Sequence, residues 1–250
     1  MISIKSKREI DIMRKAAEKL RCVLFELQKM IRPGLTGLKI DETAEKLIRA
    51  QEALPAFKGY RGYPGTVCIS VNEQVVHGIP SDRKIKEGDI ISIDIGLIWK
   101  EFYSDAARTW PVGAVSNQAL ELIETAKQSL YSGVDKMKVG NRIGDVSAAI
   151  QNFVEAKGFS VVRDFVGHGI GRALHEDPQV PNFGKPGKGE KLEAGMVLAI
   201  EPMVNAGSWE VDILEDRWTV VTRDGELSAH YEDTICLTES GPEILTGDPT

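Results

Sequence analysis

The chain reads as one α+β domain, residues 1–250, built from two pseudo-symmetric halves of roughly 1–112 and 113–250. Three observations predict this. The segments KEGDIISID (86–94) and EAGMVLAIE (193–201) align, with Gly88 on Gly195 and an acid, Asp94 or Glu201, six residues after each glycine. Upstream of each lies a matching tetrapeptide, HGIP at 77–80 and HEDP at 175–178. Each half also opens with two helical patterns. A glycine followed at that distance by an acid recurs easily by chance. The whole order of helix, helix, His-x-x-Pro and strand-acid is much harder to repeat by chance. Each half should therefore bring an acid and a histidine to a shared centre.

In chain order, Ser6 and Glu9 form a capping-box pattern. Ile10, Met13, Ala17, Leu20, Leu24, Leu27 and Ile31 follow at spacings of three and four, an amphipathic helix stopped by Pro33 and Gly34. The stripe is short for a coiled-coil seam, so packing on a sheet is the better reading. Ile40, Ala44, Leu47 and Ile48 mark a second helix that ends before Pro55. The loop FKGYRGYPG (57–65) leads into a strand at 66–71, and a turn over 72–80 carries His77.

Residues 90–97 are a mostly apolar run led by Gly88 and Asp89, and a second strand returns over 103–109. A hairpin turning at Trp99 and Lys100 would set Asp94 opposite Asp105. That turn lacks the Gly or Asn of a tight pair, which leaves a bulged register as the alternative. Opposed side chains have Cβ atoms roughly 4.5–5.5 Å apart, where like charges repel. A cation resolves the repulsion, and two divalent ions ~3.5–4 Å apart fit such a pair.

Pro111, Val112 and Gly113 break the chain. A third helix is expected over 116–134, with Ala119, Leu122, Ile123, Ala126 and Leu130 on its apolar face. A fourth spans 143–157 and is closed by Gly158. Further strands are expected at 161–165, 196–200, 218–222 and 231–237, with Asp224 and Gly225 turning between the last two. Residues 182–189, NFGKPGKG, are the weak candidate for flexibility.

Hydrophobic content of 42% and charged content of 27% are ordinary for a soluble globular protein. The net charge of −6 argues against a specific nucleic-acid partner. Cys22, Cys68 and Cys236 form no close pair, which suits a reducing compartment. The N-terminal MISIKSKREI has no apolar signal core, and no apolar run reaches the roughly 18 residues of a membrane span. A cytoplasmic protein without membrane contact is expected.

His168 lies within GHGIG (167–171), where flanking glycines leave the ring unshielded and favour a ligand over a packed core histidine. A lone histidine is nevertheless more often structural. The glycines lack the spacing of a dinucleotide fingerprint, and no second histidine follows His175-Glu176 at the zincin distance. His230 receives no role. Asp94 and Glu201 end apolar runs, where an uncompensated charge is costly. Together Asp94, Asp105, His168, Glu201 and Glu232 offer four carboxylates and one imidazole, a charge that two divalent cations cancel. So many oxygens suit Mn²⁺ or Fe²⁺ at least as well as Zn²⁺.

These residues, in this order, resemble the type I methionine aminopeptidases. The resemblance is carried by YRGYPGTVCISVNEQVVHGIP, GDIISIDIG, SDAARTWPVG, GHGIGRALHEDPQV, AIEPM, DRWTVVT and SAHYEDTICLT, and it covers essentially the whole chain. It implies the pseudo-symmetric "pita-bread" fold, a curved antiparallel sheet backed by two pairs of helices. It implies two divalent ions (Co, Mn, Fe or Zn) held by Asp94, Asp105, His168, Glu201 and Glu232. Excision of N-terminal methionine before a small second residue is expected, by attack of a metal-activated hydroxide. Glu201 would shuttle the proton, and His77 and His175 would contact the substrate. Tyr60, Tyr63, Cys68, Leu174, Trp218 and Phe57 would form the methionine pocket. Phe57 stands where a cysteine is frequent and Leu174 where a phenylalanine is frequent, which touches pocket shape, not the chemistry. No long insertion separates His175 from Glu232, which favours type I, and a catalytic part without a preceding zinc-binding extension is expected. The expected partners are nascent polypeptide N-termini near the ribosome, met by a monomer. Rival readings are an Xaa-Pro aminopeptidase or prolidase, which usually carries a further N-terminal domain, and a non-catalytic binding protein, which typically lacks several ligands.

Overall fold

The computed structural model describes residues 2–247. Helix α1 (Lys7–Met30) starts at the expected capping box: the Glu9 N–H donates to the Ser6 hydroxyl and the Ser6 N–H to the Glu9 carboxylate. Thr36 caps α2 (Gly37–Ala50) and Ser116 caps α3 (Asn117–Val134). Helix α4 (Ile143–Ala156) is followed by Gly158 at φ 81°, where only glycine is unstrained.

The first half supplies β1 (Leu54–Pro55), β2 (Val67–Val71), β3 (Ile90–Trp99) and β4 (Phe102–Pro111). The second half supplies β5 (Ser160–Val161), β6 (Gly167–Gly169), β7 (Glu176–Val180), β8 (Val197–Ile200), β9 (Met203–Asn205), β10 (Val211–Ile213), β11 (Val220–Thr222), β12 (Ser228–His230), β13 (Glu232–Thr238) and β14 (Gly241–Ile244). Strands of both halves join one nine-stranded antiparallel sheet, ordered β1-β3-β4-β13-β8-β6-β7, with β2 also on β3 and β14 on β13. On its outer face Ile91, Ile93, Ile95 and Leu97 pack with Leu20, Leu27, Ile40 and Ile48 of the first helix pair. Leu198, Ile200 and Ile235 pack likewise with Leu122, Leu130, Val146 and Ile150 of the second. Alternation along each strand turns Asp94 and Asp105 to the opposite, inner face.

The repeat extends to the backbone. Gly88 and Gly195 sit at φ 91° and 93°. Their N–H groups donate to Val112 O and Leu237 O, while the N–H groups of Val112 and Leu237 donate to Asp89 O and Met196 O. The same turn thus launches the acid-bearing strand in each half.

Three expectations are corrected. The β3–β4 hairpin turns at Lys100 and Glu101, both at positive φ (47° and 70°), so two non-glycine residues supply the mirror-image turn. Its register runs unbulged from Ile90↔Pro111 to Trp99↔Phe102 and sets Asp94 opposite Ala107 and Asp105 opposite Gly96. The slip of two keeps both acids on one face, as diagonal neighbours and not opposed ones. Asp224 and Gly225 do not close a hairpin between β11 and β13: β11 pairs with β10, and the chain passes through β12, which pairs with β9. The stretch 182–189 is tied to α4, because the Gly184 N–H donates to Gln151 Oε1 and the Gly187 N–H to Asp145 Oδ1. Among the described residues no helix is long and apolar enough to cross a membrane.

Candidate metal centre

Two rows cross the inner face of the sheet. In one, Cys68 pairs with Asp94, Asp94 with Ala107 and Ala107 with Glu232. Glu201 follows Ile200, the partner of Asp233. In the other, Gly96 pairs with Asp105, while Thr234 and His168 both pair with Ala199. The Thr234 hydroxyl joins that row, donating to Asp105 O at 2.8 Å and accepting from the Asp105 N–H at 3.1 Å. Arg108 holds the neighbouring strand through Glu232 O and the Asp233 carboxylate. Carboxylates and imidazole therefore alternate with alanine, glycine and threonine, which leaves space between them.

The glycines flanking His168 have a different purpose from the one expected. A Cβ at Gly167 would lie 2.4 Å from Ala199 O, and one at Gly169 would lie 2.2 Å from Asp177 O. They let β6 fit between its neighbours, and His168 itself is buried. Its Nδ1 lies 2.9 Å from Gly169 O. A carbonyl can only accept, so Nδ1 carries the proton and the Nε2 lone pair points outward. Nε2 lies 3.5 Å from Glu201 Oε1, so an ionised Glu201 would face it acceptor to acceptor.

The other donor atoms repeat this conflict. Asp94 Oδ1, Asp105 Oδ1, Glu232 Oε1 and His230 Nε2 are buried without a hydrogen-bond partner. Burial, with repulsion among the acids, holds the Asp105, Glu201 and Glu232 carboxyls well above the usual carboxylate range, and burial raises Asp94 to about 7. Burial pushes the His168 imidazole down to about 4. So many buried acceptors and so few donors fit divalent cations, which satisfy several lone pairs at once. Donor atoms of Asp105, His168 and Glu232 lie within 4.8 Å of one another, as do those of Glu201, His230 and Glu232. Asp94 belongs to neither trio but borders the same cavity. His230, to which the sequence assigned no role, lies 3.9 Å from both Glu201 and Glu232. His230 closes β12 and Glu232 opens β13, so their approach depends on the chain crossing between two sheets and no strand periodicity announces it.

A stability experiment follows from these shifts. In the cation-free chain the folded carboxyls hold protons that the unfolded chain has released above about pH 4. The contribution of these carboxyls is greatest below this point and is lost as the pH rises through the raised folded values, about 7 for Asp94, while the buried histidines, held low, act in the opposite sense below about pH 6.5. Bound cations remove the repulsion and add binding free energy to the folded state. Chelation should therefore lower the melting temperature, and by more at about pH 8 than at about pH 5. An unchanged midpoint at both, with metal loss verified, would contradict the reading.

All the residues singled out from the sequence surround one cavity of about 180 Å³: Phe57, Tyr60, Tyr63, Cys68, Leu174 and Trp218 wall it, and His77, His175 and the five expected ligands border it. Arg61, Val76, Phe165 and Val166 also line it, and nothing in the sequence singled them out. Phe57 packs on the ladder itself, since a Cβ at Gly96 would lie 2.8 Å from its ring. The Tyr63 and Trp218 rings meet edge to face at 5.1 Å between centroids. His77 sits at φ 60°, an uncommon conformation for a histidine, against Phe165 and Trp218. His175 Nδ1 lies 2.9 Å from the Tyr60 hydroxyl, and its ring centroid lies 4.3 Å from that of His168. Burial lowers both His77, to about 4, and His175.

Comparison with known proteins agrees with this geometry. The sequence pattern of metallopeptidase family M24 matches residues 11–239. The chain is 56% identical over 246 residues to a methionine aminopeptidase of Clostridium perfringens, spanning 98% of this chain and 99% of the relative. It is similar to the crystal structure of methionine aminopeptidase from Thermotoga maritima, with a TM-score of 0.97 at 48% identity over 99% of this chain and 100% of that one. Prolidase from Pyrococcus furiosus is more distant, with a TM-score of 0.81 at 25% identity over 99% of this chain and 66% of the prolidase.

Proposed function

Because the chain belongs to metallopeptidase family M24, and within it to the bacterial type I methionine aminopeptidases, we propose that it removes N-terminal methionine from polypeptides whose second residue is small. The observation that carries this reading is the small cavity walled by aromatic rings and a thiol, directly against the carboxylate cluster. An unbranched thioether fits such walls, where sulfur–aromatic contacts contribute ~0.3–1.5 kcal/mol each. The whole chain would act as one catalytic unit, supported by the sheet shared between its halves. The substrates would be nascent chains met near the ribosome by a cytoplasmic monomer.

Asp94, Asp105, His168, Glu201 and Glu232 would hold two divalent ions, with His230 close behind. Such ions polarise a carbonyl and acidify water toward a neutral-pH nucleophile. The chain's own groups handle the protons. Glu201 takes a proton from the water that attacks the scissile carbonyl carbon. As the C–N bond breaks, Glu201 returns that proton to the departing nitrogen. The Tyr60 hydroxyl, 2.9 Å from His175 Nδ1, would donate to it and so leave Nε2–H to hydrogen-bond the oxygen as negative charge develops. His77, neutral because burial depresses it, contacts the peptide nitrogen.

Peptide hydrolysis tests the reading. Met-Ala-Ser should be cleaved rapidly, and a bulky second residue should block cleavage at the rim. Norleucine in place of Met should be processed more slowly but not refused, since one difference in an apolar pocket discriminates by only ~10–200-fold. Leu174→Phe should narrow the tolerance for such analogues. Equal cleavage of N-terminal Met, Leu and Lys peptides, or a preference for Xaa-Pro bonds, would overturn it.

A further inference from the structure

One cation stands where the cavity opens. Arg61 lines both the cavity and the adjoining open groove, together with Val166, His168 and His175, and among the described residues no other Lys or Arg lines either. Its backbone is left-handed at φ 49°, between Gly59 and Gly62. A long side chain adopts that conformation only where its surroundings hold it, and such strain gathers at functional sites. The guanidinium lies 5.4 Å from the centre of the Tyr60 ring, and among the described residues it has no carboxylate partner. Of the groove's two carboxylates, Glu176 is already occupied by Lys5 at 2.6 Å, and Asp177 is likewise not free.

The direction of the substrate supplies the ligand. With methionine in the closed cavity and the scissile bond beside His175, the rest of the polypeptide has to leave along the open groove past Arg61. An extended chain advances roughly 3.3 Å per residue, which brings the third residue to the groove mouth. We propose that Arg61 is a specificity-determining residue that favours polypeptides with Asp or Glu at the third position. The inference rests on the methionine aminopeptidase reading and adds a preference beyond the second residue.

Paired neutral-ended peptides, Met-Ala-Glu-Gly-amide and Met-Ala-Lys-Gly-amide, test it through the ratio of their kcat/KM values. An exposed charge pair is worth about a fivefold change at most. The wild-type ratio should therefore favour Glu by roughly three- to twentyfold, since Lys is repelled as Glu is attracted, and salt should shrink it. Arg61→Gln should bring the ratio near one, and Arg61→Glu should invert it. Each ratio is internal to one variant, so a general loss of rate cancels. A wild-type ratio of one, or a ratio unmoved by either substitution, would overturn the proposal. Failure of every variant and the wild type to release methionine from any peptide would overturn the enzymatic reading and this inference with it.

Discussion

Glu201→Gln should abolish turnover while the chain stays folded. The amide keeps the shape of the side chain but cannot take a proton from water and return it to the leaving nitrogen. Loss of one proton-transfer group typically removes ~10²–10⁴ of rate. The position admits the change structurally, because Glu201 lies among acids that burial and Asp94 already hold toward protonation. In the cation-free chain the same substitution should raise the melting temperature, as it removes one of the buried carboxylates. Activity has to be read at verified metal content, so that loss of a ligand is not mistaken for loss of the base. Near-wild-type kcat in metal-replete Glu201→Gln would end the role given to this residue.

His175→Ala is expected to lower kcat far more than it raises KM. The Nε2–H contact strengthens as the carbonyl oxygen gains charge, so its loss belongs to the transition state. One such donor is worth roughly 2.7–4 kcal/mol, a loss of ~10²–10³ in kcat. Burial holds the imidazole below its ordinary value, so it works as a neutral donor near pH 7. Tyr60→Phe removes the partner of Nδ1 at 2.9 Å and should reproduce part of the effect by freeing the other tautomer. A pure rise in KM would place His175 in ground-state binding instead.

The helices were legible because their signals are local. The stripe from Ile10 to Leu27 and the capping pair of Ser6 and Glu9 lie within one stretch of chain, and the structure buries that stripe. The carboxylates were legible for another reason: Asp94 and Glu201 end apolar runs, and the glycines launching those runs occupy matching turns. The hairpin register was not legible, because Lys100 and Glu101 adopt a turn that their side chains do not advertise. Strands β9 and β12 are three residues each, and pairing with each other across more than twenty residues forms them, not their own propensity. His230 was left without a role and Arg61 escaped notice because their significance lies in what faces them, Glu201 and Glu232 for one and an open groove for the other.

The central claim is that buried acids of both halves hold the divalent ions that let this chain excise methionine. The direct measurement is methionine release from Met-Ala-Ser by chelator-stripped protein while Mn²⁺ is added back. The stripped chain should be inactive, and release should return and saturate as the ion binds. Full activity in protein verified free of metal, or restored cleavage of Xaa-Pro peptides with none of Met-Ala-Ser, would contradict the account.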